Sequence, residues 1–287
     1  MSATRDLIRT QRYTGAGLSV CADVGGDPAA QAVVLLHGGG QTRHSWGRAM
    51  IELVEQGFYV ISLDARGHGD SDWAADADYS FKSLSGDLRA VIAALPRLPA
   101  LVGASMGGAT ALYLIGNSPE PVATALVMVD IVPRVEAGGS KKIHDFMSAN
   151  PQGFGTLEEA ADAVSAYYPT RKRPKDPSGL MKNLRLRDDG RLHWHWDPRF
   201  ISSVQRAEPP AMAREMIAAC SGVHVPTLLV RGMESDIVGA AGVEEFRQLL
   251  PQLQVADVSG AGHMVAGDRN DAFNQSVIAF LRSLPGN

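Results

Sequence analysis

The run G-A-S-M-G at residues 103–107 is the first part of this sequence whose residue types and spacing could do chemistry. It follows a short apolar run and precedes a helical pattern, which is typical of a tight strand-to-helix turn that exposes a serine hydroxyl above a sheet. A serine hydroxyl becomes a good nucleophile only when a neighbouring base, itself held by a third group, removes its proton. Ser105 is therefore the predicted nucleophile of an acyl-transfer site.

The predicted base is His263. It ends the loop G-A-G-H at residues 260–263, just after the last predicted strand, where a histidine can reach the carboxyl ends of other strands. Two carboxylates compete to orient it. Asp130 and Asp236 each follow a predicted strand, and both preserve the chain order serine, acid, histidine. These residues leave the choice open, and the aspartate that is not used would cap a loop.

Acyl chemistry also needs hydrogen-bond donors that face the developing oxyanion. The backbone N–H of Met106, at the start of the predicted helix, supplies one donor. The second is predicted from the loop H-G-G-G at residues 37–40, with Gly39 as the donor, because consecutive glycines let the backbone approach a ligand closely. His37 and His68 precede the nucleophile and are predicted to shape loops by hydrogen bonding.

Trp46, His193 and Trp194 are the predicted substrate contacts. The phrase H-W-H-W at residues 193–196 lies outside the predicted sheet, where rings could face a bound substrate. A metal site would need further ligands at a suitable spacing, and the sequence offers none. We therefore expect no metal and no cofactor.

The elements that must position these residues follow from hydrophobic patterning. Short apolar runs alternate with helical patterns, which predicts an α/β fold with a parallel sheet buried on both faces. Leu84, Leu88 and Ile92 recur at helical spacing, as do apolar residues over 273–284, and both patterns predict amphipathic helices. The predicted strands are 32–36, 58–63, 100–103, 124–129, 227–230 and 254–258.

Residues 131–222 break this alternation. They lack clear buried strands and contain a proline-rich stretch at 171–177, so they are predicted to form an inserted helical cap, or lid. The predicted core domain comprises residues 1–130 and 223–287. The site would then lie at the strand ends that face the cap.

Composition excludes several classes of protein. The 287 residues carry 27 Lys and Arg against 31 Asp and Glu, a net charge of −4, which gives no basic footprint for nucleic acid. The longest apolar runs are far shorter than the ~20 residues of a membrane helix, and no signal-peptide pattern is found. Cys21 and Cys220 lie far apart in the sequence, which fits a reducing compartment.

We expect a cytoplasmic protein with a small-molecule acyl substrate and neither a nucleic-acid nor a membrane partner. The sequence does not decide whether the protein forms a homo-oligomer.

Taken together, four phrases resemble the α/β-hydrolase family, in its capped branch that includes epoxide hydrolases and dehalogenases: residues 37–40, 64–72, 103–108 and 260–263. The resemblance implies an eight-stranded, mostly parallel sheet with a helical cap after the sixth strand. Epoxide hydrolases and dehalogenases of this branch use an aspartate nucleophile, whereas Ser105 implies acyl transfer, because an alkyl-serine ether would be a dead end. In fluoroacetate dehalogenases, and in a serine hydrolase of pyridoxine breakdown, the acid follows the sixth strand. The commoner position of the acid in the family, after the seventh strand, is matched by Asp236. Of the two, the likeness to these relatives favours Asp130.

Three functions are consistent with these features. The leading one is a serine hydrolase that cleaves a small ester or a related acyl compound through a Ser-His-Asp triad and an acyl-enzyme. The second is a carbon-carbon or amide bond hydrolase acting on a carboxylate-bearing metabolite, with Arg185 or Arg187 binding the carboxylate. The third is a non-catalytic ligand-binding protein on a hydrolase scaffold.

Overall fold

The computed structural model describes residues 7–169, 173–206, 209–263, 265 and 270–284. The strands are β1 Arg9–Thr14, β2 Ser19–Gly25, β3 Ala32–Leu36, β4 Tyr59–Leu63, β5 Ala100–Ala104, β6 Ala125–Val129, β7 Leu184–Leu186, β8 Leu192–Trp194, β9 Thr227–Gly232 and β10 Leu253–Val258. Eight of them form one sheet in the order β1-β2-β4-β3-β5-β6-β9-β10, and β7 and β8 form a separate hairpin.

The six predicted strands are confirmed as β3, β4, β5, β6, β9 and β10, which pair in parallel. The apolar runs of β3, β4, β5, β6 and β9 are buried because helices cover both faces of the sheet, whereas β10, at the edge, is only partly buried. The antiparallel strands β1 and β2 were not predicted. Strand β1, at the edge of the sheet, has the sequence R-T-Q-R-Y-T and is mostly exposed, so it lacks the apolar signal that identified the others.

The helices are α1 Gly47–Glu55, α2 Phe81–Ala93, α3 Met106–Gly116, α4 Ala137–Ser148, α5 Leu157–Tyr167, α6 Pro198–Arg206, α7 Pro209–Cys220, α8 Ala240–Leu249 and α9 Asn270–Arg282. Helices α1 and α9 cover one face of the sheet, and α2, α3, α7 and α8 cover the other. The helical patterns predicted from Leu84 onward and from Phe273 onward are confirmed as α2 and α9. In the described part of the chain, no helix has the length and apolar character needed to cross a bilayer.

The chain between β6 and β9 contains α4, α5, the β7–β8 hairpin, α6 and α7. Helix α7 belongs by packing to the core, because Met216 and Cys220 lie in the same apolar cluster as α3. It is therefore not part of the cap predicted for 131–222. Residues 131–206 are called the insertion below.

The insertion is tied to the core through Asp197, which is fully buried. Its carboxylate accepts hydrogen bonds from the Tyr79 hydroxyl at 2.5 Å and from the Arg199 guanidinium at 2.7 Å. Its backbone N–H donates to the Gly67 carbonyl at 2.9 Å. These contacts fix one end of the insertion against the loops that follow β4.

Candidate active site

Ser105 lies at the turn between β5 and α3, at the carboxyl edge of the sheet. Its backbone has φ 47° and ψ −115°, a conformation that costs free energy for a residue with a side chain. The flanking glycines are required sterically. A Cβ atom on Gly103 would lie 2.4 Å from the backbone of Gly107, and one on Gly107 would lie 2.4 Å from the carbonyl oxygen of Leu36. The turn thus leaves the serine partly exposed above the strands.

Asp130 follows β6 directly and is fully buried. Its Oδ2 contacts Nδ1 of His263 at 2.8 Å and accepts a hydrogen bond from the Ser235 hydroxyl at 2.5 Å. Its Oδ1 accepts the backbone N–H of Gly232 at 3.0 Å. A carboxylate on Nδ1 holds the proton of a neutral imidazole there and leaves Nε2 as the acceptor.

The backbone is strained at Ser105 and at Asp130. Four non-glycine residues among those described have positive φ, and Ser105 and Asp130, with φ of 50°, are two of them. Strained backbone of this kind persists where the surrounding structure holds it and is frequent at functional sites. Here the buried parallel strands β5 and β6 supply that support.

The competing acid, Asp236, is placed differently. Its side chain is 48% exposed and forms an ion pair with Lys142 on α4 at 3.3 Å. The neighbouring Ser235 faces Asp130 instead. The structure therefore brings Asp130, and not Asp236, to His263.

The glycine loop after β3 lies against the nucleophile, since a Cβ atom on Gly38 would be 3.4 Å from Cβ of Ser105. The N–H of Gly38 donates to the Gln41 side chain at 3.0 Å, and that of Gly40 donates to His68 Nε2 at 3.1 Å. Within the described part of the chain, the N–H groups of Gly39 and Met106 have no acceptor. The assignment of these two N–H groups as oxyanion donors stays a prediction.

His37 and His68 shape this loop, as predicted. His37 contacts the Gly38 carbonyl through Nδ1 at 2.8 Å and accepts the Ala65 N–H through Nε2 at 3.0 Å. Complete burial lowers the pKa of both imidazoles, that of His68 to about 3, and repulsion from His37 contributes to the shift at His68. Both rings therefore stay neutral and keep a lone pair for a backbone N–H.

The three predicted substrate contacts lie in different surroundings. Trp46 is 2% exposed and packs 5.8 Å from the Phe273 ring in the cluster between the sheet, α1 and α9, so the structure places it in the core. His193 contacts Asp189 of its own hairpin at 2.8 Å. Trp194 stacks on Trp196 at 5.0 Å.

Trp194 and Trp196 belong to an apolar cluster that reaches the glycine loop. A Cβ atom on Gly40 would be 3.4 Å from Trp196, and one on Gly39 would be 3.7 Å from Phe200. Met106, beside the nucleophile, packs against the same cluster. The insertion therefore presents mainly rings to this part of the core.

A cluster of potential metal ligands also exists among the described residues. One atom each of Cys21, Asp64 and Asp70 lies within 4.8 Å of the others. The guanidinium of Arg43 already binds both carboxylates there, and Asp64 accepts the N–H of Asp70. This arrangement ties down the loop 64–72, and we assign no metal to it.

Comparison with known proteins adds independent information. The sequence profile of the α/β-hydrolase fold family matches residues 31–269. The chain is 32% identical over 278 residues to the sn-1-specific diacylglycerol lipase ABHD11 of Mus musculus, covering 89% of this chain and 82% of that protein. It is 29% identical over 265 residues to the esterase Rv0045c of Mycobacterium tuberculosis, covering 88% of this chain and 83% of that protein.

Among solved structures, E-2-(acetamidomethylene)succinate hydrolase superposes with a TM-score of 0.85 at 22% identity, covering 96% of this chain and 100% of that one. At this identity the match shows that the two proteins share the fold.

Proposed function

The chain belongs to the α/β-hydrolase fold family and is a hydrolase, and from that premise we propose that it is a serine esterase acting on small neutral esters. In this proposal Ser105 is the nucleophile, His263 the general base and Asp130 the acid that orients it. The observation that carries it is the 2.8 Å contact between His263 Nδ1 and the fully buried Asp130 carboxylate. The esterase and lipase activities in the names of the two sequence relatives support it.

The proposed reaction has two stages. His263 Nε2 accepts the proton of Ser105 Oγ as that oxygen attacks the ester carbonyl, and Asp130 stabilises the resulting imidazolium. The N–H groups of Gly39 and Met106 bind the oxyanion of the tetrahedral intermediate. His263 then protonates the departing alkoxide, which leaves an acyl-enzyme. A water molecule, deprotonated by His263, hydrolyses the acyl-enzyme to the carboxylic acid and restores the serine.

The preference for neutral esters rests on the insertion. The surface beside Gly39 consists of Phe200 and of Met147, whose Sδ would be 3.9 Å from a Cβ atom on that glycine. The arginines that could bind a carboxylate have other partners. Arg185 forms an ion pair with Asp70 at 2.7 Å, and Arg187 lies over the Trp73 ring at 5.5 Å. This arrangement favours an apolar acyl group over a carboxylate-bearing one.

The test is hydrolysis of p-nitrophenyl butyrate, with fluorophosphonate labelling followed by mass spectrometry. Ser105→Ala should lower kcat by about 10⁴-fold or more and abolish labelling, because it removes the attacking atom. Ser118→Ala, at a half-buried serine just beyond α3 whose hydroxyl donates to the Leu114 carbonyl, is the control and should match the wild type. Full activity of Ser105→Ala would exclude this nucleophile. A wild-type protein that neither hydrolyses esters nor reacts with the probe would favour the ligand-binding alternative.

A further inference from the structure

Gly40 is hydrogen-bonded on both sides by histidines from different parts of the chain. Its N–H donates to Nε2 of His68, in the loop after β4, at 3.1 Å. Its carbonyl contacts Nε2 of His195, in the insertion, at 3.3 Å. Nδ1 of His195 accepts the N–H of Gly69 at 2.7 Å. Because Nδ1 is an acceptor there, the proton of a neutral His195 is on Nε2, and Nε2–H donates to Gly40.

We propose that His195 is a positioning residue, which holds the glycine loop in the geometry that directs the Gly39 N–H at the oxyanion. The core alone would then not hold the complete oxyanion hole, since the insertion supplies one of its supports. This inference rests on the proposed serine esterase activity and assigns the insertion a part in rate as well as in substrate choice.

The first step of the argument is the orientation of successive peptide units. A peptide unit is planar, so fixing its carbonyl on one side directs its N–H to the other. Nδ1 of His37 and the N–H of Gln41 both contact the Gly38 carbonyl, which turns the Gly39 N–H away from them. His68 fixes the next unit through the Gly40 N–H, and His195 fixes the one after through the Gly40 carbonyl.

The second step is that the loop has little stiffness of its own. Gly38, Gly39 and Gly40 are consecutive, and glycine has more backbone freedom than any other residue. Gly40 has a φ of +73°, a conformation that glycine can readily leave. External hydrogen bonds are therefore needed to keep one conformation. Among the hydrogen bonds to residues 38–40 within the described part of the chain, the one from His195 comes from outside the core.

The third step is the protonation state of the imidazole. Burial, together with repulsion from His68 and His37, lowers the pKa of His195 well below its ordinary value. The rings of His37, His68 and His195 form a row, with centroids 5.2 Å and 5.8 Å apart. A neutral ring in this row both donates to Gly40 and accepts from Gly69, and a charged one could not accept.

The test compares three substitutions of His195 in the full-length enzyme. His195→Gln places an amide nitrogen near the position of Nε2 and keeps a donor for Gly40. His195→Asn places its oxygen near Nδ1 and keeps only the Gly69 contact, and His195→Leu keeps neither. Loss of one oxyanion donor costs about 10²- to 10³-fold in turnover, so misplacing one should cost about 10- to 100-fold. We expect that loss in kcat for Asn and Leu, unchanged KM, and a kcat within about 3-fold of wild type for Gln.

A transition-state analogue gives the second readout. A trifluoromethyl ketone forms a hemiketal oxyanion on the serine, so its affinity should fall by the same factor as kcat in the Asn and Leu variants. Tyr79→Phe is the matched control. It removes the Tyr79–Asp197 hydrogen bond at the same contact between insertion and core but leaves Gly40 untouched, and should keep kcat and inhibitor affinity.

Equal losses in Tyr79→Phe and His195→Leu would mean that the insertion is merely loosened, and would overturn the proposal. So would wild-type kcat in both His195→Asn and His195→Leu. If His195→Leu does not fold, His195→Asn against His195→Gln decides alone. The result for Ser105→Ala separates the two proposals, since an inactive Ser105→Ala beside a fully active His195→Asn would sink only the role of His195.

Discussion

The carboxyl edge of the core sheet and the insertion supply different kinds of groups to the candidate site. The core edge holds Ser105, Asp130 and His263, each at or just after a strand end, with strained backbone at the first two. The insertion supplies aromatic rings and, through His195, one buried imidazole. Apart from His195, the groups that must be placed within tenths of an ångström thus come from the rigid sheet, and the rings that fill space come from the inserted segment. Substitutions of those rings should therefore change substrate choice more than kcat.

The largest effect that would test this division is expected at Asp130. Asp130→Asn should lower kcat about 10⁴-fold, because the amide no longer holds His263 in the productive tautomer. Asp236→Asn should change kcat less than about 2-fold, since that carboxylate is half exposed and paired with Lys142. Steady-state kinetics on a p-nitrophenyl ester measures both. The reverse order would move the orienting acid to the loop after β9.

A smaller effect within the core edge is expected at Ser235. Its hydroxyl donates to the same Asp130 oxygen that contacts His263, and it also accepts the N–H groups of Ile237 and Val238. Hydrogen bonds to charged groups are worth about 1.5–3 kcal/mol, so Ser235→Ala should lower kcat about 10- to 100-fold with KM unchanged. Ser235→Thr keeps the hydroxyl and should therefore keep most of the wild-type kcat. An active Ser235→Ala variant would show that Gly232 alone holds the carboxylate.

Stability should depend on pH through the histidines that join the two regions. The pKa of His195 is lowered in the folded state, so between its ordinary value of 6.5 and the lower folded value only the unfolded chain binds the proton. The free energy of unfolding should therefore fall as the pH falls below about 6.5, by about 1.4 kcal/mol per pH unit for each such histidine. His195→Gln should therefore reduce the slope of the unfolding free energy against pH by the share of one histidine, about 1.4 kcal/mol per pH unit. Urea unfolding between about pH 6.5 and 5 measures this slope. An unchanged slope would mean that His195 is protonated in the folded state.

The smallest effect is expected at Arg185, on β7 of the insertion. Its guanidinium is engaged by Asp70, and its side chain is 38% exposed. Arg185→Ala should leave kcat/KM for neutral esters within about 2-fold, because an exposed ion pair contributes little. Activity on esters with a free carboxylate in the acyl group should stay low in both proteins. A carboxylate ester that is hydrolysed well by the wild type and poorly by this variant would favour the dicarboxylate alternative instead.

The parts predicted best from the sequence are those whose signal is local. Parallel strands such as β3 and β6 are short apolar runs because they are buried on both faces, and the turn at Ser105 needs glycines on both sides. A resemblance to known hydrolases was needed to favour Asp130 over Asp236, since each follows a strand. The edge strand β1 is polar and mostly exposed, so it has no apolar run from which a strand could be predicted.

Other features depend on which distant side chains meet. His193 and His195 occupy the same H-W-H-W phrase, but their rings have different partners. His193 contacts Asp189 of its own hairpin, whereas His195 contacts Gly40 of the glycine loop. Ser235 carries no motif and is identified only by its contact with Asp130. Trp46 is a predicted substrate contact, yet it packs beneath the sheet against Phe273. Gly39 and Met106 remain predicted donors.

The buried carboxylate of Asp197 has a practical consequence for protein engineering. If the insertion opened at that end, the Asp197 carboxylate would lose its hydrogen bonds to Tyr79 and Arg199. Breaking the contacts of a buried charge costs free energy, so we expect the insertion to move at its other end. A chimaera intended to accept new esters should therefore exchange residues 137–194 and retain 195–199 as the splice junction. Such a graft would exchange the rings of residues 137–194 and keep the hydrogen bonds that join Asp197 to the core.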